Sequence, residues 1–269
     1  MGKEVERIME TQFDRYIGID YSGAETAYSS LSGLRVYLAD QKNQPVEIAT
    51  PESKRKYWSR AGIAGWLLER LSEDRLALIG IDHGFSFPLA YFEKHNLSHD
   101  WPAFLEDFQR HWPTDEAIYV DFVRDGSCGN AAARSGDRIW RRLTEVRTRR
   151  AKSVFFFDVH GSVAKSTHAG LPWLLWLRNK VGGRVHFWPF DGWELPAGKH
   201  VIAEIYPALW SSSFAPEDRR NNHQHDAYSA AAWLRQADAS GELAKFLKPR
   251  LTPEERRIAE IEGWILGVP

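Results

Sequence analysis

The chain has 269 residues, with 35 Lys+Arg against 36 Asp+Glu and a formal net charge of −1. With 43% hydrophobic and 26% charged residues, it has the composition of a folded chain with a sizeable core and not of a disordered one. The single cysteine, Cys128, excludes an intrachain disulfide and a zinc site built on several thiolates, and the balanced charge argues against a coat protein for bulk nucleic acid.

The first fifteen residues are charged and lack an apolar stretch, so they are expected to form a helical or loose lead-in and not a secretory signal. No apolar run approaches the ~20 residues of a membrane span, and a cytoplasmic protein with no membrane partner is the expectation. "YIGIDYSG" (Tyr16–Gly23) then reads as a short buried strand that ends in turn residues. "LRVYLAD" (Leu34–Asp40) and "PVEIAT" (Pro45–Thr50) follow with partial alternation, the pattern of a β-meander. In Lys56–Asp74, Trp58, Ile63, Trp66, Leu67 and Leu71 stand near helical spacing, which predicts an amphipathic helix. "RLALIGID" (Arg75–Asp82) is the next buried strand and, like the first, it ends on an aspartate.

Residues from about 83 to 150 break this rhythm. They hold aromatic, helix-like pieces such as Pro102–Trp112 and a small-residue stretch from Gly126 to Gly136, but no strand run that could build a second sheet. A long, mostly helical insertion is expected there. The pattern resumes with a strand at "SVFFFDV" (Ser153–Val159), a loop His160–Gly170, a helix opening at Gly170 and Pro172, and two further strands in "RVHFWPF" and "HVIAEIYP". In "NNHQHDAYSAAAWLRQA", Ala227, Ala230, Ala231 and Leu234 share one helical face. The tail is expected to form a capping helix with Thr252 as N-cap and Glu255 three residues later. The division is therefore one domain over residues 16–240, with the insertion at about 83–150, and a C-terminal capping tail over 241–269.

The acids fall in a telling pattern. Asp20 and Asp82 end buried strands, Glu204 lies inside another, and Asp226 stands near the start of the alanine-rich helix. A carboxylate among apolar residues is costly unless it is paired, hydrogen-bonded or bound to a cation, and like charges in contact do not all stay ionised without one. Mg²⁺ or Mn²⁺ suits such an oxygen-rich set. Two such ions ~3.5–4 Å apart are the arrangement that drives phosphodiester hydrolysis.

These same segments carry a resemblance. The order strand–strand–strand–helix–strand, with "GIDYSG" and "IGIDHGFSFP", followed by "AEIYPALW" and "HQHDAYSAAAWL", resembles the RNase H-like fold. In particular it resembles the predicted RNase H-like nucleases of domain of unknown function 429. The segment from His223 to Ala227 is also similar to the last motif of Holliday-junction resolvases, although that branch often carries Glu where this chain has Asp82. The resemblance implies an α/β domain with a mixed central sheet flanked by helices. It also implies a metal-dependent nuclease with nucleic acid as its partner. Asp20, Asp82, Glu204 and Asp226 would be metal ligands and His223 a further catalytic group.

Each residue also has a plainer role. Asp20 and Asp82 could cap turns, Glu204 could pair with an arginine from the insertion, and Asp226 could simply favour the start of its helix. Between Arg134 and Lys152 eight basic residues face two acidic ones, and Arg138, Arg141, Arg142, Arg147, Arg149 and Arg150 form a candidate clamp for a phosphate backbone. Lys165 and Ser166, in the loop before a helix, are candidates for a substrate phosphate, though the loop lacks the second glycine of a nucleoside-triphosphate P-loop. Two competing functions share these residues: an ATP-using phosphotransferase of the actin and sugar-kinase type, to whose phosphate motifs "DYSG" and "DHG" are similar, and a non-catalytic binding module.

Overall fold

The computed structural model describes residues 12–52, 54–148, 151–159, 162–217 and 219–269. Most of the lead-in, the Arg149–Arg150 pair and the start of the His160–Gly170 loop lie outside the described residues. Six strands form one mixed sheet: β1 (Arg15–Asp20), β2 (Arg35–Asp40), β3 (Val46–Glu47), β4 (Ala77–Asp82), β5 (Val185–Trp188) and β6 (His200–Glu204), in the spatial order β3-β2-β1-β4-β6-β5. β1, β2 and β3 are an antiparallel meander, whereas β4, β6 and β5 continue from β1 in parallel. The parallel strands are buried along nearly their whole length because helices cover both faces of the sheet.

On one face lie α1 (Arg60–Leu71), α6 (Ala164–Val181) and the insertion, packed on Ile17, Ile19, Ile79, Ile81 and Ile202. The other face is covered by α7 (Asn222–Ala239), α8 (Leu243–Leu247) and the C-terminal segment with α9 (Pro253–Glu262), packed on Tyr16, Leu78, Val201 and Ala203. Glycine decides how close α7 comes: a Cβ on Gly18 of β1 would lie 2.5 Å from the Ala231 nitrogen. The small face of Ala227, Ala230 and Ala231 fills the space that Gly18 leaves, and all three are fully buried. At the start of α7, Asn221 caps the helix reciprocally with Gln224. Thr252 and Glu255 form the same capping box on α9, as read from the sequence. The tail is no loose appendage, since Trp264 and Leu266 are fully buried and Leu266 N–H donates to Glu204 O (2.9 Å).

The insertion holds α2 (Leu89–His95), α3 (Trp101–His111), α4 (Val120–Arg124) and α5 (Leu143–Thr148), with no strand among its described residues. It runs further than expected. The apolar run Ser153–Val159 forms turns and not a strand, because its side chains feed an aromatic cluster: Phe155 packs on Phe87 and Tyr91, and Phe157 on Trp112 and His168. Helix α6 also begins earlier than expected, at Ala164, so Gly170 and Pro172 sit inside it. A Cβ on Gly170 would press 2.5 Å from the His83 ring. Pro172 has no N–H for the carbonyl one turn back, and Thr114 Oγ1 supplies the missing donor to His168 O at 2.5 Å. The third expected strand is reduced to Val46–Glu47, both exposed. No helix among the described residues is long and apolar enough to cross a membrane.

Candidate active site at the strand ends

Register places two of the acids side by side. Asp20 and Asp82 are partners in the parallel β1–β4 ladder, at the carboxyl ends of both strands, where ligands bind in sheets of this kind. Side chains alternate along a strand, so both point to the face of Gly18 and Gly80, where an added Cβ would meet α7 at Gly18, and Ile205 and then Leu234 of α7 at Gly80. From α7 come His223 and Asp226, three residues apart on one side of the helix. His223 Nδ1 donates to Asp20 Oδ2 at 2.7 Å, and the imidazole is otherwise largely in solvent, its side chain 57% exposed. Among the described residues the carboxylates of Asp82 and Asp226 have no hydrogen bond or ion pair. Although α7 begins at Asn222, Asp226 is one turn inside it, so stabilising the helix start is not its role.

Burial pushes the carboxyl of Asp20 up to about 6, against the His223 hydrogen bond that pulls it down, with Asp226 adding repulsion. Asp82 is held well above the ordinary carboxylate range, first by burial and then by the charges of Asp20, Asp226 and, more weakly, Glu204. Burial also raises Asp226, opposed by His225 and His223. His223 is raised in turn by its bond to Asp20. Three acids thus repel one another beside two histidines. As the side chains lie, no three His, Cys, Asp or Glu among the described residues form a ready-made metal-binding group. The acids are neighbours but not converged.

Glu204 is not part of this group. Its β4 partner is Ile81, not Asp82, so its side chain emerges on the opposite face, towards the insertion. There Arg142 grips both of its oxygens, at 2.6 and 2.7 Å, and Phe85 N–H donates to Oε2 at 2.9 Å. Three donors take three of the roughly four lone-pair sites of this carboxylate and Arg142 supplies its counter-charge, so the geometry supports the plainer reading of Glu204, pairing with an insertion arginine.

The arginine clamp is largely spent on the protein itself. Arg142 is 1% exposed and also bonds Glu145 Oε1 at 2.9 Å, so it offers nothing to a phosphate. Arg141 donates to the carbonyls of Glu145 and Ala151, while Arg147 pairs with Glu255 of α9 at 2.5 Å. Of the clamp's described residues, Arg138 and Arg141 are exposed without an ion pair, Arg141 being held by its two carbonyls; Arg149 and Arg150 lie outside the described residues. Lys165 and Ser166 are not in a loop but in the first turn of α6: Lys165 pairs with Asp121 at 2.6 Å, and Ser166 Oγ donates to Val163 O. His225 Nε2 donates to Ser211 O.

Sequence reasoning missed Glu145 and Glu262. Glu145, three residues after Arg142, is a readable helical pair. Glu262 accepts the Leu89 and Leu143 amides at 2.6 and 2.5 Å, a role without a local signal. A cavity of about 130 Å³ at the carboxyl ends of β4 and β6 takes in Asp82, Lys152 and Tyr206, with the Arg142–Glu204 pair in its wall. No family model matches the chain, and neither a curated protein nor a solved structure is found to be similar to it. The class that fold and site define is a mixed α/β protein with a six-stranded mixed sheet flanked by helices and a carboxylate–histidine group at its ligand edge.

Proposed function

We propose that this chain is a metal-dependent phosphodiesterase of the RNase H-like kind, cutting a nucleic acid with Mg²⁺ or Mn²⁺ as cofactor. One observation carries the reading. Asp20 and Asp82 stand level on adjacent parallel strands at the ligand edge, joined by Asp226 from α7, and among the described residues no lysine or arginine forms an ion pair with any of the three. Acids left repelling one another in a partly buried place are the preparation for an external cation. The element order β1-β2-β3-α1-β4, on which the resemblance to RNase H-like nucleases rests, supports the same reading.

The donor set fits a hard divalent ion: oxygens of Asp82 and Asp226 without partners, and the second oxygen of Asp20. Bound there, such an ion polarises the phosphodiester and lowers the pKa of a water. The chain's own residues do the rest. Asp20, Asp82 and Asp226 hold the charge, Asp20 fixes the His223 ring through Nδ1, and the Nε2 side, open to solvent, takes the proton of the attacking water. Glu204 positions the site from behind by holding the Phe85 amide in the turn that follows Asp82. Mn²⁺-dependent cleavage of labelled DNA and RNA oligonucleotides tests this. Asp82→Asn is expected to remove cleavage in the folded protein; cleavage at the wild-type rate would sink the assignment.

A further inference from the structure

A second cavity, of about 310 Å³, opens in the insertion against α6, within the size range of small-molecule sites. Its walls bring together Phe155, Phe157, the imidazole of His168 and the guanidinium groups of Arg124, Arg134 and Arg138. Two of these cations are already paired, Arg124 with Asp158 at 2.7 Å and Arg134 with Asp107 at 2.6 Å. Arg138 is exposed and has no ion pair among the described residues. Arg124 also lies over the Phe157 ring, 4.7 Å from its centroid. His168 Nδ1 donates to Ala164 O at 2.9 Å, which leaves Nε2 as the acceptor of the ring. Burial pushes this imidazole down to about 3, so it stays a neutral acceptor at physiological pH.

An aromatic wall, a neutral acceptor and a guanidinium without a counter-ion answer the parts of one ligand class. Bases stack on aromatic and arginine planes, an exocyclic amine donates to an acceptor, and a phosphate takes paired N–H bonds from a guanidinium. We propose that the cavity binds a nucleotide, with the base against Phe157 and the phosphate on Arg138. The inference goes beyond the nuclease reading and uses none of its acids. The nucleotide can be free or belong to a single strand, and the two sources are separable.

The test is calorimetric titration of the full chain in EDTA, where metal-dependent cleavage is silent. The probes are adenosine 5′-monophosphate and a short single-stranded oligonucleotide. Arg138→Glu and Phe157→Leu are each expected to weaken binding about tenfold or more. Weakening of the mononucleotide identifies a free nucleotide, whereas weakening of the oligonucleotide alone identifies one within a strand. No binding of either probe, or an affinity unchanged by either substitution, overturns the proposal. Asp82→Asn, titrated in parallel, separates the two readings, because it is expected to end cleavage and leave this binding intact.

Discussion

Two groups of acids flank the carboxyl edge of the sheet, on opposite faces, and they are built on opposite principles. On the insertion side, Glu204 and Glu145 surround the buried guanidinium of Arg142, and Glu262 accepts two backbone amides beside it. On the α7 side, Asp20, Asp82 and Asp226 face one another beside His223 and His225, and among the described residues none of the three pairs with a lysine or arginine. The first group is held by a buried guanidinium and by backbone amides, and it joins three distant parts of the chain: insertion, β6 and the C-terminal segment. The second is left short of positive charge at the edge where ligands bind. An acid in an apolar strand is therefore not by itself a site; what separates joint from site is whether the fold supplies the counter-charge.

Breaking the completed side should have the largest effect. Arg142→Met removes the cation and leaves Glu204 and Glu145 buried without it, an expected loss of about 3–5 kcal/mol by chemical denaturation. The double variant Arg142→Met with Glu204→Gln should recover part of that loss, because one of the two stranded charges goes with it. If the single variant costs less than about 1 kcal/mol, Arg142 is not the joint described here.

On the incomplete side the same chemistry runs in reverse. The folded-state pKa of Asp20 is raised to about 6, so its contribution is fully present below the unfolded value near 3.8 and is lost as pH rises through 6. Asp20→Asn should therefore be more stable than wild type at pH 7 by up to about 3 kcal/mol, with the advantage vanishing towards pH 4. The difference between the two proteins is the quantity to measure. The wild-type curve alone is confounded by His83, whose imidazole burial pushes down to about 4. That histidine contributes stability above its unfolded pKa and loses it as pH falls towards 4, the opposite slope. Equal stability of the two proteins from pH 4 to pH 7 would remove Asp20 from the repelling group.

How much of this contrast could be read from the sequence follows from what sequence encodes. Asp20 and Asp82 were legible because an apolar run that stops on an acid is a local pattern, and the alanine face of α7 and the Thr252 capping box are local too. Glu204 was not resolved, because its face depends on the register between β4 and β6, where Ile81 and not Asp82 is its partner. A shift of one residue in that ladder would turn it towards α7. The strand expected at Ser153–Val159 failed for a related reason: a short apolar run does not say whether it pairs with a strand or fills an aromatic cluster. Gly170 and Pro172 imitate a helix start, yet each answers a tertiary contact, with the His83 ring and with Thr114.

Lys165 gives the smallest effect and the sharpest contrast with Arg142. Both are cations paired with an acid at 2.6 Å, but the Lys165 and Asp121 side chains are 41% and 54% exposed. Water and salt screen such a pair, and holding two long side chains in one geometry offsets much of the attraction. Lys165→Ala should thus change stability by less than about 1 kcal/mol, and raising the ionic strength should shrink even that difference. Its effect on cleavage is the more telling measurement. A lysine committed to Asp121 at the start of α6 leaves the KM for an oligonucleotide unchanged, whereas a lysine that leaves Asp121 to grip a substrate phosphate raises KM with kcat intact. Such a rise would place Lys165 beside the open acids and not among the internal joints, and would move the substrate path from the carboxyl edge towards the first turn of α6.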